Sequence, residues 1–331
     1  MRWLRRLLGL ALAGALLAIG GIAFYASRPV GLKADPTEFT IPPGASLRTA
    51  ARQIEAAGAH TPAWLFALVG RALGKSADIK AGSYELRQGV TPLQILDKLT
   101  RGDVTQVEIV FPEGWTFRQM RAALDGHPGV RHESVGLEES QVLERLGLTG
   151  EPEGWFFPDT YLFGRGGADI DILRRAHRRM RATLSAEWET RAPELPYASP
   201  YDALIMASII EKETGQMQDR PLIAAVFVNR LRRGMLLQTD PTIIYGLGTR
   251  FDGNLRKRDL LADGPYNTYR RPGLPPTPIA SPGLASIRAA LHPAETDVLY
   301  FVARGDGSSH FSRTLDEHNQ AVSRYQKRRN R

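Results

Sequence analysis

The chain has 331 residues, 43% of them hydrophobic and 24% charged, a balance that supports a sizeable packed core and excludes a wholly disordered protein. Its net charge of +8 sits almost entirely at the two ends, at Arg2, Arg5 and Arg6 and at Lys327, Arg328, Arg329 and Arg331, so the body lacks the basic face that a nucleic-acid binder needs. With no cysteine, a disulfide framework, a thiolate metal site and a cysteine nucleophile are all excluded.

From 7 to 26 the chain carries no charged residue and is mostly Leu, Ala, Ile and Gly. Twenty helical residues rise about 30 Å, the thickness of a bilayer core. The arginines before this run keep the N-terminus cytoplasmic and send the rest outward, which predicts a single-pass inner-membrane protein with a periplasmic body. The competing reading is a cleaved signal peptide, for which Tyr25-Ala26-Ser27 offers a poor cleavage site.

Residues 28–37 read as a linker, with Gly31 and Pro36. Three helices follow over 47–57, 93–99 and 117–124. Each is preceded by Gly, one spacer and a hydroxyl residue: Ser46, Thr91 and Thr116. A hydroxyl there can accept from an orphan N–H and cap the helix, and Pro92 suits a first helical position. Strands are expected over 81–86 and 105–111. The region 38–130 therefore reads as a small α+β unit that resembles LysM-like modules, which bind N-acetylglucosamine polymers. The plainer alternative is a spacer that lifts the rest off the membrane.

Residues 131–331 read as a larger mixed α/β domain. The stretch 131–150 is acidic and helix-prone. Glu153-Gly154-Trp155-Phe156-Phe157-Pro158-Asp159-Thr160-Tyr161 packs four aromatics into nine residues, the composition of a core or a cleft wall. An Arg-rich amphipathic helix is expected over 169–190. Ser199-Pro200-Tyr201-Asp202 starts another, which is apolar on nearly every side over 203–210 and so should be buried. It closes on Glu211, Lys212, Glu213 and Thr214. Helical spacing puts Glu213 on a stripe with Met206, Ile209 and Ile210, and Glu211 on one with Leu204, Ala207 and Ser208. Burial disfavours the charged carboxyl, so the Glu213 pKa should rise from near 4.3 towards about 6. On spacing alone, catalysis and an ion pair with a later arginine both stay open for these glutamates.

A helix is expected over 221–233, with Asp219 before it and Gly234 as its left-handed cap. Residues 236–242 then read as a short strand running into a tight turn at Asp240-Pro241. The segments 245–248, 266–269 and 273–279 read as ordered loops whose rings and amides suit sugar recognition.

Several motifs now stand in one order: Ile209-Ile210-Glu211-Lys212-Glu213-Thr214, Phe227-Val228-Asn229-Arg230-Leu231, Leu237-Gln238-Thr239-Asp240-Pro241-Thr242, Tyr266-Asn267-Thr268-Tyr269 and Gly273-Leu274-Pro275-Pro276. With the early 153–161 run and the late His292-Pro293 and Leu299-Tyr300-Phe301-Val302-Ala303, the chain resembles the endolytic murein transglycosylase family, also called MltG or YceG-like. The resemblance implies an α+β protein with a transmembrane helix (1–27), a LysM-like region (38–130) and a catalytic domain (131–331). It implies Glu213 as catalyst, Glu211 as the lesser candidate, and Gln238, Thr239, Asp240, Tyr266 and Asn267 as substrate contacts.

The implied reaction cuts between N-acetylmuramic acid and N-acetylglucosamine in nascent glycan strands and leaves 1,6-anhydro ends, with no metal or cofactor. Peptidoglycan is the expected substrate, the bilayer holds residues 7–26, and peptidoglycan synthases are the implied protein partners. Two rivals remain. A glycoside hydrolase would need a second carboxyl, Asp240 or Glu211. A non-catalytic glycan-binding scaffold would need none. The seven histidines form no zinc-binding His-x-x-x-His pattern, which argues against a metal-dependent hydrolase.

Overall fold

The computed structural model describes residues 2–326; the basic cluster of Lys327, Arg328, Arg329 and Arg331 lies outside them. In chain order the elements are α1 (Arg2–Ser27), β1 (Thr37–Ile41), α2 (Leu47–Ala56), α3 (Ala63–Ala72), β2 (Gly82–Leu86), α4 (Pro92–Arg101), β3 (Gln106–Val110), α5 (Phe117–Asp125), β4 (Val130–Arg131) and α6 (Glu139–Leu146). There follow β5 (Thr160–Gly164), β6 (Gly167–Ala168), α7 (Asp169–Glu189), α8 (Pro200–Glu213), α9 (Arg220–Arg232), α10 (Asp240–Leu247), α11 (Lys257–Leu261), α12 (Leu284–Leu291), β7 (Tyr300–Ala303), β8 (Ser309–Ser312) and α13 (Leu315–Tyr325). Helices and strands are mixed as expected, and among the described residues the strands pair two by two. Among the described residues one helical stretch, Gly9–Ser27, is long and apolar enough to cross a membrane.

The chain forms two compact units. The smaller comprises residues up to 108 with 129–131 and 162–167. In it β1 and β2 pair antiparallel, from Thr37 opposite Leu86 to Ile41 opposite Gly82. This register faces Glu38 with Glu85, a like-charge pair that each member offsets locally: Arg165 bonds Glu38 at 2.8 Å and Arg87 bonds Glu85 at 2.7 Å. The core joins Phe39, Ile41 and Tyr84 of the strands to Ile54 of α2, Phe66 of α3 and Ile95 and Leu99 of α4. The expected caps form. Ser46 accepts from the Thr49 N–H and Thr91 closes a reciprocal box with Gln94; in the larger unit Thr116 does the same with Gln119.

The larger unit is built round α8. Its residues from Ala203 to Ile210 are all buried, because α12, α9, α7 and α10 surround it. Leu204, Met206, Ile209 and Ile210 are fully out of solvent, each contributing about 1.5–3 kcal/mol of apolar burial. Ser199 caps the start by accepting from Asp202, as expected. Gly234 follows α9 at φ +66, the left-handed conformation predicted for it. The β7–β8 hairpin pairs Tyr300 with Ser312 through Ala303 with Ser309, and α13 packs on it.

One expectation fails here. Residues 235–239 are irregular rather than a strand, and Asp240-Pro241 opens α10 rather than a turn. A proline in the first helical turn loses no hydrogen bond, and that gain outweighs its pressure on the residue before it. Tyr245 and Gly246, expected in a loop, belong to the same helix.

Candidate active site

The end of α8 sends consecutive side chains to separate surroundings. At about 100° of turn per residue, Glu211 and Glu213 point to different sides of one helix. Glu211 is buried, with 5% of its side chain exposed, and bonds Arg220 Nη2 at 3.0 Å. Its other oxygen accepts from the Gly283 N–H at 3.0 Å. Glu113 adds a second carboxylate 3.7 Å from the same guanidinium. Glu211 is thus spent on an ion pair, the structural role that spacing had left open.

Glu213 is the last residue of α8, part-buried, and accepts a hydrogen bond from the Thr239 hydroxyl. Burial is the main cause that pushes its pKa up to about 7, and the nearby charge of Asp240 adds to it. The Thr239 hydroxyl and the Arg230 guanidinium oppose the shift. The helix also presents its negative end to this carboxyl, which disfavours a charge there. Glu213 therefore keeps its proton to higher pH than a free carboxyl does, which suits a group that must first give and then take a proton.

Two buried threonines fix Thr239 in turn. Its N–H donates to the Thr268 hydroxyl at 3.1 Å, and the Thr242 hydroxyl donates to its carbonyl at 2.8 Å. Arg230 braces the segment just before it. Its Nη1 donates to the Leu237 carbonyl at 2.8 Å, and its Nε to the Leu299 carbonyl at 2.7 Å. Burial lowers the pKa of this guanidinium. Between these braces Gln238 holds φ +52, a left-handed backbone costly for a residue with a Cβ. Such strain persists only where its surroundings fix it, here directly before the residue that bonds Glu213.

A cleft of about 570 Å³ opens over Glu213, lined among others by Arg230, Gln238, Asp240, Tyr269, Tyr300 and His318. Tyr269 donates to Asp240 at 2.6 Å, which turns that carboxylate into part of the wall. His318 stacks on Tyr300 with ring centroids 5.2 Å apart, and burial together with the Arg230 charge lowers its pKa. The cleft offers two phenol rings, an amide, a carboxylate and a cation around one protonatable glutamate.

Of the residues expected to meet substrate, Glu213, Gln238 and Asp240 line this cleft, and Thr239 sits behind Glu213. Asn267 is 5% exposed, and its amide donates to the carbonyls of Leu260 at 3.0 Å and Ala262 at 2.6 Å. Its oxygen accepts from the Tyr269 N–H at 2.9 Å, so it shapes the loop that carries Thr268 and Tyr269. Tyr266 lies elsewhere, edge-on to Tyr245, with its hydroxyl 2.9 Å from that of Thr277. Both rings line a second cavity of about 760 Å³ beside Glu153 and Lys212.

Glu153 is a buried carboxyl that accepts from the Phe117 N–H at 3.0 Å and the Tyr245 hydroxyl at 3.2 Å. Burial is the main cause that raises its pKa to about 7, and these bonds oppose it. Sequence reasoning singled out neither Glu153 nor Arg230, Tyr269, Tyr300 and His318 as site residues. Arg230 stands within a quoted motif, but its brace to Leu299 spans 69 positions and has no local signature.

The raised pKa of Glu213 has a consequence for stability. The group titrates near 4.5 when unfolded and near 7 when folded, so its contribution is fully present below 4.5 and lost as pH rises through 7. Glu213→Gln, always neutral, is expected to stabilise the protein by up to about 3 kcal/mol at pH 8 and by nothing near pH 4. Urea unfolding of the detergent-solubilised chain at both pH values checks this; an equal gain at both would remove the titration as its cause.

The sequence pattern of the YceG-like family matches residues 39–324. A Bacillus subtilis protein named endolytic murein transglycosylase is 36% identical over 270 residues, which cover 76% of this chain and 74% of that one. Proteins of the same name from two Streptococcus pneumoniae strains are 27% identical over 86% of this chain, which spans only 57% of their length. A YceG-like protein of Listeria monocytogenes, known from a 2.6 Å crystal structure, superposes with a TM-score of 0.55 at 31% identity over 86% of this chain and 98% of its own. The family pattern runs through both units and includes every residue of the cleft but Gln326, and on that evidence the chain belongs to the YceG-like family.

Proposed function

We propose that this chain is an endolytic lytic transglycosylase of peptidoglycan in which Glu213 alone serves as acid and then base. The observation that carries the reading is Glu213 itself. It is a part-buried carboxyl with a pKa near 7, held by Thr239 at the floor of a cleft in a YceG-like chain. The names of the relatives support the same reaction.

The protonated Glu213 donates its proton to the oxygen that joins N-acetylmuramic acid to N-acetylglucosamine, and the bond from muramoyl C1 to that oxygen breaks. The C6 hydroxyl of the same muramoyl residue then bonds to C1, and its proton passes to the Glu213 carboxylate. One carboxyl is restored, a 1,6-anhydro end and a free 4-hydroxyl result, and no water is consumed. Asp240, which lines the same cleft and interacts with Glu213 through its charge, favours the protonated state before the first step and lends negative charge near the cationic C1 as the bond breaks. Gln238, Tyr269 and Tyr300 supply hydrogen-bonding and stacking surface for the sugars. Tyr266 offers a further contact through the second cavity, and Asn267 acts by holding the Tyr269 loop.

The apolar helix over Gly9–Ser27 serves as a membrane anchor with a cytoplasmic N-terminus and a periplasmic body. The region 38–130 serves as a LysM-like hold on the glycan. Strand termination close to the membrane brings the enzyme to the peptidoglycan synthases, its expected partners.

The test is the chemistry of the released ends. The full chain in detergent, incubated with purified peptidoglycan and read by mass spectrometry, is expected to give 1,6-anhydro ends, at a rate that falls as pH rises through about 7 and Glu213 loses its proton. Reducing ends would make the protein a hydrolase with Asp240 as second carboxyl, because Glu211 is committed to Arg220. Glycan binding without any product would make it a scaffold.

A further inference from the structure

The small unit is tied to the end of α1 with no slack. The Tyr25 hydroxyl bonds that of Thr61, Ala26 is 3% exposed, and α1 packs on both α3 and α4. Just beyond, the Val30 N–H donates to the Val90 carbonyl at 2.8 Å and the Lys33 N–H to the Gly58 carbonyl at 2.9 Å. Tyr25 is two residues from the end of the apolar span, about 3 Å along the helix. Its partner Thr61 is two residues before α3. α3 therefore begins at the level where the span ends.

The outer face of α3 is unusual for that position. Phe66, Ala67, Val69 and Gly70 fill the core side, yet Trp64 is 70% exposed and Leu68, one turn on, 38% exposed. Arg71 continues the stripe in the last turn of α3, and Lys75 follows just past the end of the helix. Leu93 is 39% exposed in the first turn of α4, directly after the residue segment bonded to Val30. A tryptophan and a leucine thus stand exposed on α3 and a leucine on α4, the two helices that pack on α1, with two cations at and just beyond the far end of α3.

We propose that this face of α3 lies in the headgroup layer of the membrane that α1 crosses, so that the small unit rests on lipid instead of standing off it. This rests on α1 being a retained anchor. The chemistry favours lipid over a protein partner, because the patch adjoins the span itself. Tryptophan suits the boundary between acyl chains and water. The two cations meet anionic headgroups, and their long stems let the leucines go deeper.

The chain has no cysteine, so a single introduced one carries a unique label. Full-length Trp64→Cys, Leu68→Cys, Phe24→Cys and Arg101→Cys proteins, each labelled with an environment-sensitive fluorophore, are reconstituted in vesicles of phosphatidylethanolamine and phosphatidylglycerol. Phe24 reports the anchor, and Arg101, at the far end of α4 with its side chain 76% exposed, reports water. Positions 24, 64 and 68 are expected to be quenched by nitroxide-bearing lipids and shielded from iodide, and position 101 the reverse. Lipid quenching at 24 with iodide quenching at 64 and 68 overturns the proposal and leaves the face to a protein partner. Iodide quenching at 24 as well overturns the anchor reading, and the proposal with it.

Discussion

Glu213→Gln is expected to cut the release of glycan fragments by about 10²–10⁴-fold in rate, while the fold and glycan binding survive. Glutamine keeps the shape and can still accept from Thr239, but it can neither donate an acidic proton nor take one back. Both steps pass through this one group, so no other carboxyl in the cleft can supply the missing proton: Asp240 already accepts from Tyr269. End-group mass spectrometry of the variant beside the parent protein decides it. Residual release within about tenfold of the parent would move the acid/base role to another residue.

Glu211→Ala is expected to cost about 3–5 kcal/mol of stability, because it strands a guanidinium whose side chain is only 8% exposed. Glu113, 3.7 Å away and half exposed, offsets little of that loss. The Gly283 N–H also loses its acceptor. Activity should then fall only as far as the folded fraction falls, and recover with conditions that favour folding. Urea unfolding set beside the rate of glycan release separates the two glutamates. A variant at position 211 that is as stable as the parent yet inactive would make Glu211 a direct participant and reopen the assignment of Glu213.

Much of this was legible in the sequence because it is local. The caps at Ser46, Thr91, Thr116 and Ser199 need only a hydroxyl before a periodic apolar run, and all four form. The burial of α8 follows from its being apolar all round, and with it the rise in the Glu213 pKa. What the sequence left open depends on partners distant along the chain. Nothing near Glu211 says that Arg220, nine positions on, folds back against it. α10 was hidden because Asp240-Pro241 and two glycines imitate a turn. Gly246 is there for a tertiary reason, since a Cβ at that position would lie 3.0 Å from Tyr266. Asn267 shows the limit of reading an amide as a sugar contact, for its donors are already taken by loop carbonyls.

The end of α8 has a consequence for how such a chain can change over time. Ser199 fixes where the helix begins, and twelve to fourteen residues later Glu211, Lys212 and Glu213 leave it toward an ion pair, the second cavity and the cleft. Inserting or deleting one residue between them would rotate the whole terminus by about 100° and advance it by 1.5 Å. Glu213 would leave Thr239, and Arg220 would lose its partner in the same event. Side chains along α8 can be exchanged one at a time for others of like volume. Its length cannot, so lineages that keep this chemistry should vary the letters of this helix while never altering their number.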